Sequence, residues 1–289
     1  MQILLDGLIS GVTTALLATA FALVYLSTRA FHIALAGIYS LVPFMAWTLE
    51  DRGVHPLLAG AAAILSGVLV SAASEAFNYG PLERRGGSPT AHLVTSLGIY
   101  IMLVAATAIV WGSEAQSLRV GVDRVFRLGI IRITEGQVQA LVAGSVLLLA
   151  LFIALERTRL GLQLRALADN PREFVLRGHD RTRVRMIAFL VSGLLASVAA
   201  LLVARDVGFS ATSGLPALLV AIVAVIVGGR SSFLGPVVGA IIVMILRAEV
   251  TWMLAARWQD AATFVLLAIV LYVRPMGLVG VRSRLEEPS

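Results

Sequence analysis

Side chains able to perform covalent or metal chemistry are few in this sequence, and their spacing supports no catalytic centre. Cysteine is absent, which excludes thiol nucleophiles, disulfides and thiolate metal sites. Lysine is absent too, so there is no phosphate loop of the GxxxxGK[ST] type and no Schiff-base lysine. The histidines are far apart and form no HExxH pair: His32, His55, His92 and His179. We therefore predict no catalytic residue, no metal site and no cofactor bound by this chain.

Small polar side chains within apolar runs are the remaining candidates for contact with a solute. A hydroxyl in a membrane helix often bonds to the carbonyl oxygen four residues earlier, so only some of these groups are expected to face a pathway. The candidates are Thr13, Thr14, Thr19, His32, Tyr39, Thr95 and Ser96.

Glu75 is the acidic residue whose placement matters most. A charge at the bilayer centre costs roughly 2.5–3.5 kcal/mol on insertion scales and would indicate a functional site. Glu75 follows a long apolar run and precedes Asn78 and Arg84, so we place it at the interface, within reach of water. Asp206, Glu249 and Asp260 also lie near the ends of runs. We expect no buried acid of the kind that a proton-coupled carrier uses.

The composition requires a membrane protein. Of the 289 residues, 58% are hydrophobic and 14% are charged, and the mean hydropathy is +0.91. A soluble domain has about 25% charged residues. The net charge of +6 is carried by arginine alone, which in a membrane protein indicates topology and anionic lipid headgroups rather than nucleic acid.

Apolar runs predict an all-α polytopic membrane protein with eight to ten transmembrane helices. The runs cover about 4–26, 34–49, 56–77, 91–111, 138–155, 186–204, 215–227, 233–246 and 261–273. The first has no basic start and carries Asp6, so we interpret it as a retained span. The second and seventh are short and punctuated by glycine and proline, as in half-helices that line a cavity or in short tilted spans.

Arginine positions predict the topology. With the N-terminus outside and the C-terminus in the cytoplasm, fifteen arginines face the cytoplasm and eight face outward. The outer loop 112–137 holds four of those eight, namely Arg119, Arg124, Arg127 and Arg132. It alternates apolar and polar residues, which predicts a small external hairpin.

The arginine-rich segment 157–185 connects the fifth and sixth runs and is predicted to be cytoplasmic. Residues 162–168 read as a short helix. Asn170 suits the N-cap of a second helix, with Pro171 in its first turn and Glu173 completing a capping box. Gly178 is placed to end that helix in the left-handed conformation.

Phe174, Val175 and Leu176 would then project from this second helix into water. A helix of about two turns is marginal when isolated, so a groove on a partner protein would order it. Alternatively, the helix lies on the membrane surface with its arginines on lipid phosphates. The residues alone leave both interpretations open.

The segment resembles the cytoplasmic loop of permeases from the branched-chain amino acid ABC transporter family, whose pattern is close to T-x-x-G-x-x-x-R-A-x-A-x-[DN]-P. The matching residues are Thr158, Gly161, Arg165, Ala166, Ala168, Asn170 and Pro171. Similarity extends, in order, to 80–103, 187–202 and the glycine-rich stretch 227–240. The stretch 80–103 contains Thr95 and Ser96, which therefore rank highest among the hydroxyls.

The resemblance implies a single permease domain, 1–289, in the bacterial inner membrane. Its expected partners are two cytosolic ATPases that hold ATP and magnesium, a second permease chain (homologous or identical), and a periplasmic or lipid-anchored solute-binding protein. The expected ATPase-coupling residues are Gly161, Arg165, Ala166, Asn170, Pro171, Glu173, Phe174 and Gly178. The expected solute-contacting residues are His32, Tyr39, Thr95 and Ser96.

Two departures from the family pattern bear on the solute. Residues 32–36 read H-I-A-L-A where the family shows a pattern like N-F-A-H-G, and Arg230 stands where an uncharged residue is common. A branched-chain or other amino acid is expected, with urea or a short amide as the alternative. An ion-coupled secondary transporter and an intramembrane enzyme are the other classes considered.

Overall fold

The computed structural model describes residues 2–118, 125–128, 131–229 and 233–279. Five arginines from the topology count lie outside these residues: Arg119, Arg124, Arg230, Arg282 and Arg284.

The described chain is built almost wholly from helices. Its α-helices are α1 (Gln2–Thr28), α2 (Ala34–Asp51), α3 (Pro56–Ser74), α4 (Gly80–Arg84), α5 (Pro89–Trp111), α6 (Glu135–Arg157), α7 (Arg159–Asp169), α8 (Pro171–Leu176), α9 (Arg181–Asp206), α10 (Gly214–Gly228), α11 (Gly235–Met253) and α12 (Gln259–Val273). A π-helical turn, Glu75–Tyr79, joins α3 to α4, and a 3₁₀ turn, Ala256–Trp258, precedes α12.

Each predicted apolar run coincides with a helix. Within the described residues, seven helical segments are long and apolar enough to cross a membrane by length and composition. The two runs predicted to be short form α2, an 18-residue helix that continues through Pro43, and α10, a 15-residue helix. The prediction of an all-α polytopic membrane protein is confirmed.

Helix α1 lies at the centre of the bundle. Of its most apolar 18-residue window, 83% is buried, far more than for the other long spans. Its largest neighbours are α11 and α9. A Cβ at Gly11 would lie 3.1 Å from the Cα of Ile241, so glycine permits the close approach of α11. Close approach of this kind is how small residues bring membrane helices together.

The glycines of α10 and α11 serve the close packing of these two helices. A Cβ at Gly239 would collide with the backbone carbonyl of Ala224, and a Cβ at Gly228 would collide with that of Gly235. The two helices therefore touch backbone to backbone, and a larger residue at either position has no room.

The two ends of the bundle are marked by a small hairpin and by a contact between Arg29, just after α1, and helix α7. Strands β1 (Val125–Leu128) and β2 (Ile131–Thr134) pair antiparallel, and the backbone N–H of Arg132 donates to Oε1 of Gln2 at 2.9 Å. We call this the hairpin end. At the opposite end, Nη2 of Arg29 donates to the carbonyl of Ala168 at 2.9 Å. We call this the segment end, because it carries the arginine-rich segment.

Candidate functional site

Helix α7 forms the first half of the arginine-rich segment and is longer than the predicted helix 162–168. It gains its first turn because Oγ1 of Thr158 accepts a hydrogen bond from the backbone N–H of Gly161 at 3.2 Å. Gly161 is buried, and a Cβ there would collide with the backbone of Leu155. Arg165 and Ala166 are exposed. The helix thus seats one face on the bundle and presents these two residues to solvent.

Helix α8 starts as predicted, with one difference. Oδ1 of Asn170 accepts from the backbone N–H groups of Arg172 and Glu173, both at 3.2 Å, and Pro171 occupies the first turn. The capping box is not formed, which corrects that prediction. The N–H of Asn170 already donates to the carbonyl of Ala166 at 3.1 Å, and the Glu173 carboxylate instead lies 3.5 Å from Nη2 of Arg177.

The end of α8 is also as predicted, since Gly178 follows it with φ of +79°. The expectation that three apolar residues project into water is wrong for one of them. The Phe174 side chain is buried at 3% exposure and stacks on His179 with ring centroids 5.0 Å apart. Val175 and Leu176 are exposed at 51% and 78%. One side of α8 anchors the helix, and the other offers a small apolar surface.

The expectation that Glu75 lies within reach of water is wrong. Its side chain is 2% exposed and forms a two-pronged ion pair with Arg185 of α9, with N···O distances of 2.9 and 3.0 Å. Arg185 is itself 3% exposed. The expectation of no buried acid is therefore corrected as well: the acid is buried, and its charge is matched by a guanidinium.

Glu83 extends this pair into a larger cluster. Its carboxylate lies 3.2 Å from Nη1 of Arg185, 2.8 Å from Nη2 of Arg181 and 3.4 Å from Nε2 of His92. We call Glu75, Glu83, His92, Arg181 and Arg185 the charge cluster. It joins the π turn, α4, α5 and the start of α9. Within the described residues, no group of three or more histidine and acidic side chains could hold a metal ion.

His32 lies beside the charge cluster, buried in the loop before α2. Its Nδ1 is 2.9 Å from the hydroxyl of Tyr79, and its ring meets those of Tyr79 and Phe189 edge to face at 5.3 and 4.9 Å. Nε2 of His32 has no hydrogen-bond partner. The tyrosine belongs to the π turn and the phenylalanine to α9, so His32 connects α2 to both.

Thr95 and Ser96 make contacts between elements of the bundle. Oγ1 of Thr95 donates to the carbonyl of Ala91 at 3.0 Å and accepts from the Asn78 side chain at 3.2 Å. The buried Oγ of Ser96 accepts from the backbone N–H of Ala34 at 3.0 Å and so satisfies the first turn of α2. Both hydroxyls lie at the segment end.

A cavity of about 520 Å³ opens in the hairpin half of the bundle between α1, α9, α10, α11 and α12. Tyr39, Thr13 and Thr14 line it together with aliphatic side chains such as Leu17 and Val220. Its charged lining residues are Asp206, Arg247 and Asp260. Nη1 of Arg247 lies 2.8 Å from the Asp260 carboxylate and 3.0 Å from the hydroxyl of Thr263. The cavity thus combines an aliphatic wall with hydroxyl groups and paired charges.

Residues 3–273 match a family model described as the permease component of the branched-chain amino acid transport system. The chain belongs to this family.

Relatives of similar length support the assignment. The high-affinity branched-chain amino acid transport system permease protein BraD of Pseudomonas aeruginosa is 28% identical, over 97% of this chain and 95% of its own. LivH of Escherichia coli K12, named likewise, is 26% identical with the same coverage. A probable LivH of Methanocaldococcus jannaschii is 25% identical over 92% of this chain and 88% of its own.

A solved structure supports the fold alone. PsaBC from Streptococcus pneumoniae in complex with Fab superposes with a TM-score of 0.55 at 12% identity, over 96% of this chain and 93% of that one. With the spanning helices and the named relatives, the chain is a multi-pass transport permease of the bacterial inner membrane.

The predicted site residues of this permease fall into separate places. The eight coupling candidates share the segment end, six of them exposed or half-buried and two, Gly161 and Phe174, buried. Of the four solute candidates, only Tyr39 lines the cavity. Sequence reasoning missed the charge cluster and Arg247. The sequence shows arginines at the start of one predicted span and a glutamate at the end of another, but no local pattern that pairs them.

Proposed function

We propose that this permease is the membrane subunit of an ABC importer for branched-chain amino acids. It pairs with a second permease chain, receives solute from an external binding protein, and docks a separate cytosolic ATPase on α7 and α8. The hairpin end faces outward and the segment end faces the cytoplasm. ATP and magnesium are held by the ATPases, since this chain has no lysine and hence no phosphate loop of the lysine type.

The surface of α8 carries this proposal. Val175 and Leu176 are exposed on a capped six-residue helix that is fixed to the bundle by Phe174. A helix this short is ordered by what it packs against, and a groove that takes two aliphatic side chains would complete it. The exposed Arg165 and Arg172 nearby favour an acidic rim around such a groove.

The cavity supplies the second part of the proposal, a binding place for solute in the outer half of the bundle. A branched-chain amino acid presents one aliphatic group, one ammonium and one carboxylate. The aliphatic wall around Leu17 and Val220 suits the first, and the charged lining residues Asp206, Arg247 and Asp260 provide both signs of charge for the other two. Urea lacks the aliphatic group and would leave this wall without a contact.

Co-purification and reconstitution test the assignment. The permease is extracted from native membranes, bound subunits are identified, and the complex is placed in proteoliposomes for uptake of labelled leucine. We expect a stoichiometric ATPase and ATP-dependent leucine uptake, both lost when 170–178 is scrambled. A stable complex without an ATPase, or leucine uptake driven by an ion gradient without ATP, would contradict the proposal. ATP-dependent uptake of urea but not leucine would overturn the solute alone.

The substitution Val220→Trp tests the cavity. An indole in the cavity is expected to block leucine uptake while the ATPase still binds, because α8 is at the opposite end. Val265→Trp is the matched control, since Val265 is 58% exposed on α12 and does not line the cavity. Full uptake by Val220→Trp would show that solute passes elsewhere.

A further inference from the structure

Helix α8 is joined to the rest of the bundle by α7 on one side and by the first two turns of α9 on the other. Oδ1 of Asp180 accepts from the backbone N–H groups of Thr182 and Arg183 at 2.9 and 3.2 Å, so α9 begins only a few residues after α8 ends. Arg181 and Arg185 are four residues apart and lie on the same face of α9. A displacement of α8 is therefore passed to these two guanidinium groups through a short connection, as well as to α7 on its other side.

These guanidinium groups hold α9 to elements distant in sequence. Arg185 binds Glu75 of the π turn through two parallel N–H···O contacts and Glu83 of α4 through a third, while Arg181 binds Glu83. Bidentate arginine–carboxylate pairs fix both distance and orientation. Sliding or rotation of α9 alone would break these contacts in a buried site, so α9, the π turn and α4 move together.

Stability alone is a weak reason for this arrangement. Replacing a buried ion pair by well-packed apolar residues is often neutral or stabilising, because desolvation of the charges offsets their attraction. Glu75 also begins a π turn, and single π turns inside helices occur frequently at functional sites. The turn directs Glu75 to Arg185 and Tyr79 to His32, and thus places two contacts where α3 meets α4.

The contacts continue from the charge cluster to the cavity. Tyr79 bonds to His32, which lies directly before α2, and Ser96 of α5 bonds to the first N–H of α2. Helix α2 in turn carries Tyr39 into the lining of the cavity. A series of contacts, buried from Arg185 onward, therefore joins α8 to the solute cavity.

We propose that the charge cluster is the joint that transmits motion of α8 to α2–α5, with Arg185 as its positioning residue. This inference rests on the proposed function, since it requires an ATPase that moves α8. It assigns to a buried ion pair a role in coupling ATP hydrolysis to uptake.

The double substitution Glu75→Met, Arg185→Met tests the joint. Removing both charges leaves no buried unpaired ion at these positions, and Glu83 keeps Arg181 at 2.8 Å. We expect the variant to assemble with the ATPase and to hydrolyse ATP, while leucine uptake per ATP falls about 5- to 150-fold, the range typical of coupling between sites. The control is Glu50→Met, Arg205→Met, which removes a pair joining α2 to the opposite end of α9.

Each outcome decides between the alternatives. Uncoupling in the first variant with normal coupling in the control supports the joint. Normal uptake per ATP in the first variant overturns it and leaves an anchor that serves the fold only. Equal uncoupling in both variants also overturns it, because any ion pair of α9 would then suffice. Failure of the wild-type complex to take up leucine with ATP would instead contradict the proposed function.

A distance measurement addresses the joint without any solute. The sequence has no cysteine, so spin labels at Arg183→Cys and Thr90→Cys report on α9 and α5 without background. Both positions are exposed. If the joint is rigid, the distance between the labels is the same with and without ATP in the otherwise wild-type complex, and it changes on ATP binding in the double methionine variant. A distance that responds to ATP equally in both proteins would refute the joint, and so would one that stays constant in both.

Discussion

Removing the cap of α8 should lower the affinity of the permease for the ATPase by an amount that can be worked out from the structure. Oδ1 of Asn170 satisfies two backbone N–H groups of a helix of only six residues. Replacing such a cap by alanine costs about 1 kcal/mol, within a range of about 0.5–2. No capping box adds a second hydrogen bond that would stabilise the start of α8, because Glu173 does not bond back to the N–H of Asn170.

Loss of the cap lowers the fraction of permease molecules in which α8 is folded. A change of about 1 kcal/mol alters a two-state ratio about fivefold. If the ATPase binds only the folded helix, and α8 in the free permease is near its folding midpoint, the folded fraction falls from about one half to about one sixth and the dissociation constant rises about threefold. Titration of the purified ATPase onto the permease in nanodiscs measures this directly.

The series Asn170→Ala, Asn170→Asp and Asn170→Ser separates capping from surface chemistry. Aspartate and serine are good caps, so both should bind the ATPase nearly as well as asparagine. Alanine binding as tightly as wild type would refute the reasoning, since α8 would then be folded without its cap. Equal weakening by all three would show that the asparagine amide contacts the ATPase itself.

Three further substitutions follow from the geometry. Gly178→Val should cost about 1–2 kcal/mol because Gly178 has φ of +79°; uptake per ATP should fall, whereas Gly178→Asn should be tolerated. Glu173→Ala removes only an exposed pair with Arg177, at 59% and 76% exposure, so leucine uptake should be unchanged; a large loss would indicate a direct ATPase contact. Gly239→Val forces a side chain against the backbone of α10 and should lower the free energy of unfolding by about 1–3 kcal/mol, seen as a lower melting temperature of the permease in detergent. Gly98→Val is the control, because a Cβ at Gly98 has no atom within 4 Å, and it should leave the melting temperature unchanged.

Local features of the fold could be predicted because their causes are local. The cap at Asn170 and the left-handed Gly178 depend on neighbouring residues of the same segment, and apolar runs of sufficient length depend only on composition. The missing capping box shows the limit of this reasoning. The N–H of Asn170 was already used by α7, whose last residue the sequence does not mark.

Pairing between distant segments could not be predicted in the same way. Glu75 and Arg185 are 110 positions apart, and nothing near Glu75 in the sequence indicates a buried cation. The position of Glu75 at the end of an apolar run fits an exposed acid equally well. Ser96 is similar, because its partner is the N–H of Ala34, 62 positions away, at the start of another helix. Such contacts depend on helix packing, which sequence patterns alone do not specify.

The central position of α1 has a consequence for biogenesis. The helix that ends up with least access to lipid leaves the ribosome before α9 and α11, its largest neighbours. The stretch between Thr28 and Gly235 takes about 10–40 s to synthesise at about 5–20 residues per second. During that time α1 must be shielded by lipid, by the helices synthesised between α1 and α11, or by the insertion machinery. Its sequence therefore has to be apolar enough to survive as a lone span and small enough, at Gly7 and Gly11, to be enclosed later.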